Sequence, residues 1–153
     1  MLRPGTQAPS FTLRGVNGAD GSLDSLLAGG PVLLVFFKIS CPVCQFALPY
    51  LNRIAGGTLQ IVGISQDDAA PTQRFAQRFG VTLNTLLDSE DAGYPASNAY
   101  QIDHVPSLFL IEPNGIISMT SEGFAKADLE AIAARAAKPI FDAHESVPSW
   151  KAG

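Results

Sequence analysis

"FFKISCPVCQF", Phe36 to Phe46, is the stretch from which the rest of the chain is read. Cys41 and Cys44 lie in it with two residues between them, and they are the only cysteines among 153 residues. An apolar run, "PVLLVFFK" from Pro31 to Lys38, leads into them. It is dense in β-branched and aromatic residues and reads as a strand buried on both faces, as in a parallel sheet. After the cysteines, Phe46, Leu48, Leu51 and Ile54 recur at near-helical spacing. They predict a helix over Pro42–Ala55, stopped by Gly56-Gly57. Pro49 inside it predicts a kink. Cys41 therefore falls between a strand and a helix, and Cys44 falls in the first helical turn.

Working outward, "LQIVGIS" (Leu59 to Ser65) reads as a second buried strand. Pro71 to Phe79 reads as a helix with Pro71 in its first turn and Gly80 as terminator. A short strand near Thr85 to Leu87 and a brief helix near Pro95 to Tyr100 follow. Ser107–Glu112 and Ile116–Gly123 are two strands joined by the tight turn Pro113-Asn114-Gly115. A last helix over Lys126–Ala137 turns Leu129, Ile132 and Ala133 to the core. Upstream, "SLDSLLAGG" is a helical turn begun by Ser22 and ended by Gly29-Gly30. The tail "PIFDAHESVPSWKAG" lacks periodicity, but Ile140, Phe141, Val147 and Trp150 predict that it packs down. The order β-α-β-α-β-(α)-β-β-α predicts an α/β fold in which a late hairpin adds antiparallel strands to a parallel sheet.

The length suits a single domain over 1–153 with a proper core. Hydrophobic residues at 46% against charged residues at 16% exclude a disordered chain. A net charge of −4 leaves no electrostatic footprint for nucleic acid or an anionic membrane. The run from Pro31 to Phe37 is too short to span a bilayer. The N-terminus "MLRPGTQAPSF" lacks the apolar core of a signal peptide, so with Met1 as the native start the expected location is cytoplasmic.

The placement of the thiols suggests their chemistry. A helix N-terminus carries unsatisfied N–H groups and a partial positive charge, and so stabilises a thiolate at Cys41. One thiolate can attack an external disulfide and its neighbour can then resolve the mixed disulfide. Three blander readings compete. A structural disulfide here would close a two-residue loop and restrict the unfolded chain little. A zinc site needs four ligands, and only His104 and His144 remain, both distant in sequence. The third is a pair of inert core cysteines. C-x-x-C in a βαβ setting favours the redox reading.

Three stretches together resemble the thioredoxin superfamily, and within it the redoxin branch that holds the TlpA/ResA-type thiol-disulfide oxidoreductases and the AhpC/TSA peroxiredoxins. "GTQAPSFTL" (Gly5 to Leu13) is similar to the redoxin opening. "CPVCQFALP" is similar to the thioredoxin C-x-x-C with a proline eight residues after the first cysteine. "AYQIDHVPSLFLIEPNGII" (Ala99 to Ile117) is similar to the stretch that runs into a cis-proline, a strand and a hairpin. The resemblance implies a thioredoxin-like fold, a central mixed sheet flanked by helices with an N-terminal redoxin extension. It implies Cys41 as nucleophile, Cys44 as resolving thiol and Pro106 as the cis-proline, with the backbone at Val105 pairing with substrate.

The chain also departs from the pattern. Val35 stands where thioredoxins carry a buried acid, Ala47 where TlpA/ResA-type proteins often carry Glu, and Ser40 where Trp is common. Lys38 and His104 remain as candidates for tuning the thiols; a lysine at a strand end and a solvated loop histidine are their plainer readings.

The first expectation is a thiol-disulfide oxidoreductase without metal or organic cofactor. Its partners would be a protein or small-molecule disulfide and a thiol reductant. A peroxiredoxin-like thiol peroxidase is the alternative. Its P-x-x-x-T-x-x-C motif, set on Cys44, would put Phe37 in the Pro position and Cys41 in the Thr position, so the motif is broken. A binding module with incidental thiols is the third.

Overall fold

The computed structural model describes all residues 1–153. The elements in chain order are β1 (Thr12–Gly15), β2 (Asp20–Ser22), α1 (Leu23–Leu27), β3 (Val32–Phe37), α2 (Pro42–Arg53), β4 (Gln60–Ser65) and α3 (Ala69–Phe79). Then come β5 (Asn84–Leu87), α4 (Pro95–Ala99), β6 (Ser107–Ile111), β7 (Ile117–Glu122), β8 (Phe124–Ala125), α5 (Lys126–Ala136) and β9 (Trp150–Lys151). Seven strands form one sheet in the order β2-β1-β5-β4-β3-β6-β7. The β3·β4 and β4·β5 pairs are parallel and the rest antiparallel, so the sheet is mixed, as expected.

β3 is the central strand, and its sequence explains why. All six of its residues are buried. Leu33, Val35 and Phe37 belong to a core layer built with Leu48 and Leu51 of α2 and Leu129 and Ile132 of α5. Val32, Leu34 and Phe36 belong to the layer on the other face, with Tyr100, Phe109 and Leu23. Side chains alternate between faces every residue, so a strand apolar at every position needs cover on both sides.

The structure differs from expectation at both ends and in α2. An N-terminal hairpin, β1–β2, extends the sheet edge, with Leu13 opposite Gly21. Its strands are three and four residues long, and of them only Leu13 and Gly15 are buried, so no apolar run marked them. β9 pairs with β8 where no strand was expected. The tail does pack through Ile140, Phe141 and Val147, but Trp150 is 61% exposed. Its indole lies outside the core because β9 is held through its backbone. α2 contains Pro49 and ends at Arg53, short of Ala55.

Candidate active site

β3 and β4 run side by side in register, with Phe37 opposite Ser65. The chain therefore leaves both strands at the same edge, and carboxyl ends of parallel strands are where α/β sheets place their sites. Lys38, Ile39, Ser40 and Cys41 leave β3, while Gln66 and Asp67 leave β4. The two exits are tied together. The Gln66 N–H donates to the Phe37 carbonyl at 3.0 Å, and the Ile39 N–H donates to Asp67 Oδ2 at 2.8 Å. From the other side, Gln45 Nε2 donates to the Ile39 carbonyl at 2.9 Å. Ile39 is thus fixed through both of its backbone polar groups, and with it the approach to Cys41.

Cys41 caps α2. Its backbone is extended (φ −81°, ψ 116°), Pro42 follows in the first turn, and its Sγ accepts the Cys44 N–H at 3.3 Å. A serine or aspartate oxygen more often fills this role. Here a sulfur receives both the N–H and the positive end of the helix dipole. The Cys41 thiol also donates to the Val105 carbonyl at 3.4 Å. Cys44 is fully buried among Leu48, Leu108 and Phe124, whereas Cys41 is partly exposed; both are free thiols. Burial pushes the Cys44 thiol well above the ordinary cysteine range, and its hydrogen bond with Cys41 adds to the rise.

The loop that faces Cys41 descends from α4. The Val105–Pro106 peptide is cis. Ser107 Oγ donates to the His104 carbonyl at 2.5 Å, and the Gly123 N–H donates to the Pro106 carbonyl at 2.9 Å, so the loop is held on both sides of its turn. Cys41 opens onto a cleft of ≈ 350 Å³ whose walls include Lys38, Gln66, Asp103, His104 and Val105. The structure brings Lys38, Cys41, His104 and Val105 together there. Cys44 and Pro106 lie behind them, buried. The hydrogen bonds of the Cys41 sulfur go to the Cys44 N–H and the Val105 carbonyl, not to the Lys38 ammonium or the His104 imidazole.

Several residues at the site escaped the sequence reading, Gln66, Asp67, Asp103 and Gly153 among them. Gln66 and Asp67 carry a signal that could have placed them: they follow a buried strand parallel to β3, so they emerge beside the residues that follow β3. Gly153, which also borders the cleft, carries none.

The chain is similar to known proteins in sequence and in fold. ResA, a thiol-disulfide oxidoreductase of Geobacillus thermodenitrificans, is 30% identical over 140 residues, covering 84% of this chain and 77% of that protein. ResA of Geobacillus kaustophilus is 29% identical over 133 residues, covering 82% and 74%. Among solved structures, the thioredoxin domain of a thiol-disulfide oxidoreductase from Bacteroides vulgatus superposes with a TM-score of 0.77 at 24% identity, over 88% of this chain and 98% of that one. Peroxidoxin BcpB from Mycobacterium tuberculosis superposes with a TM-score of 0.74 at 19% identity, over 89% and 96%. Likeness at these identities shows the fold, which is thioredoxin-like. The sequence profile of the AhpC/TSA family matches residues 4–120, a span that runs from before β1 into β7 and takes in both cysteines and the Val105–Pro106 turn, and the chain belongs to that family.

Proposed function

We infer that this chain is a thiol-disulfide oxidoreductase that cycles between the Cys41-Pro-Val-Cys44 dithiol and its disulfide. The observation that carries the reading is the contrast between the two thiols. One is reachable, caps a helix and accepts a backbone N–H; the other is buried three residues later in the same helix.

The steps follow from that contrast. Cys41, as the thiolate, attacks one sulfur of a substrate disulfide RS–SR′. A Cys41–SR bond forms, the S–S bond breaks, and R′S⁻ leaves. Cys44 then loses its proton and attacks Cys41 Sγ, forming the Cys41–Cys44 disulfide and releasing RS⁻. The substrate gains two electrons and the dithiol loses two. A thiol reductant restores the dithiol by the reverse exchange. The raised pKa of Cys44 keeps it protonated, and so quiet, until the mixed disulfide stands beside it. The backbone at Val105, in contact with Cys41, is the surface along which a substrate would lie.

A peroxidase acting through Cys44 fits less well, since a peroxide would have to reach a thiol with no exposed surface. The reduced protein should therefore be mixed separately with hydroxyethyl disulfide and with hydrogen peroxide, and the loss of thiols followed. Faster oxidation by the disulfide, abolished in Cys41→Ser, is expected. Faster oxidation by peroxide that survives Cys41→Ser would overturn the reading.

A further inference from the structure

Segment Ser149–Gly153 lies against the same surface. β9 pairs antiparallel with β8, Lys151 opposite Phe124 and Trp150 opposite Ala125, and the Lys126 N–H donates to the Ser149 carbonyl at 3.0 Å. The Lys151 ammonium stands 5.3 Å from the ring centroid of Phe46, two residues beyond Cys44 in α2. Two glycines permit the close fit. A Cβ on Gly123 would collide with the Lys151 carbonyl oxygen, and a Cβ on Gly153 would collide with the Val105 carbonyl oxygen. Yet all five residues of the segment are exposed. It is held by main-chain pairing and one cation–π contact, not by buried side chains. That is how an extended peptide added to a strand edge is held.

The segment ends on the carbonyl that receives the Cys41 thiol. A polypeptide bringing its disulfide to Cys41 would need the strip between β8 and Val105, because the strand edge that β9 now pairs with and the main-chain carbonyl beside Cys41 meet there. The chain's own residues show that an extended backbone fits this strip, and they fill it. We propose that Ser149–Gly153 is an internal occupant of the polypeptide-docking track, so that polypeptide disulfides must displace it while low-molecular-weight disulfides need not. A small disulfide reaches Cys41 through the cleft between Lys38, Gln66 and His104 and requires no strand edge. A tethered strand competes at an effective concentration on the order of millimolar, well above that of most protein partners. The proposal rests on the oxidoreductase reading and adds the substrate class to it.

The test compares insulin, a polypeptide disulfide, with hydroxyethyl disulfide, a small one, using the full chain and full-length Lys151→Pro. Proline has no N–H to give the β8 edge and removes the ammonium above Phe46. If the open form is a minor state of about 10% or less, freeing the track raises insulin reduction about tenfold or more. Hydroxyethyl disulfide reduction should stay within about twofold, which also shows that the variant is folded around an intact dithiol. A second full-length variant, Ser149→Pro with Trp150→Pro and Lys151→Pro, changes exposed positions that do not line the cleft and should show the same selective rise. Both probes reduced by the parent, with an insulin rate that neither variant raises, overturns the proposal alone. Neither probe reduced by the parent overturns the oxidoreductase reading, and this proposal with it.

Discussion

Cys41 and Cys44 sit three positions apart on one helical turn and yet occupy opposite environments. Native-state alkylation should label Cys41 first. Cys44, fully buried, should react only when the structure opens, slower by about 10³ or more if opening is global. Mass spectrometry of the alkylated peptides decides this, and equal labelling would remove the division of roles. The same division predicts trapping. Cys44→Ser should accumulate mixed disulfides through Cys41, whereas Cys41→Ser should not, as read on non-reducing gels. Both thiols stood out in the sequence through their spacing and their place between a strand and a helix, whereas Pro106 and Val105 were indicated only by the family resemblance. Asp67 was not legible, because its contact with Ile39 spans 28 positions and exists only once β3 and β4 pair in register.

At the scale of elements, legibility followed length and burial. β3 and β4 are six residues each and almost wholly buried, so their apolar runs announced them. β1, β2, β8 and β9 are two to four residues long and lie at the sheet's edge, next to it or in a separate two-stranded pair, where pairing comes from position and not from side-chain pattern. The short α4 is informative for another reason. Asp88, fully buried, accepts from the Ala96 N–H at 2.9 Å, from the Ser97 N–H at 2.7 Å and from Ser97 Oγ at 2.6 Å. A carboxylate at a helix N-terminus satisfies donors that the helix itself cannot. Ser97 Oγ also accepts from Gln66 Nε2 at 2.9 Å, so the network reaches the wall of the cleft. Asp88→Ala leaves three buried donors without their acceptor. It should lower stability by about 3 kcal/mol, read as a shift in denaturant midpoint at constant m. Asp88→Asn keeps an acceptor and should cost less. A neutral Asp88→Ala would mean that α4 is not held by this carboxylate.

Across the whole molecule, residues 139–153 cross from α5 to the dithiol and are tied down on the way by Arg53 of α2. Its guanidinium donates to both oxygens of Glu145, at 2.6 and 2.9 Å, and to the Ile140 carbonyl at 3.0 Å. Glu145 also accepts the Asp142 N–H at 2.8 Å. These bonds, Arg53 foremost, hold the Glu145 carboxyl down from 4.5 to about 2. A carboxyl whose folded pKa is depressed stabilises the fold above its unfolded value and loses that contribution as pH falls through the folded one. The anchor should therefore be complete above pH 4.5 and released towards pH 2. Trp150 is the only tryptophan and lies in β9, so its fluorescence anisotropy reports the tail directly. Anisotropy should fall between those pH values while far-UV circular dichroism still shows the folded sheet. Glu145→Gln cannot titrate there, so it should lose the transition and show a looser tail at neutral pH. Glu112 is held below its ordinary value by Arg135 and adds an acid-sensitive pair of its own, so the comparison with Glu145→Gln decides the assignment. A transition of unchanged size in Glu145→Gln would place the titrating group elsewhere and remove Glu145 as the tail's acid-sensitive anchor.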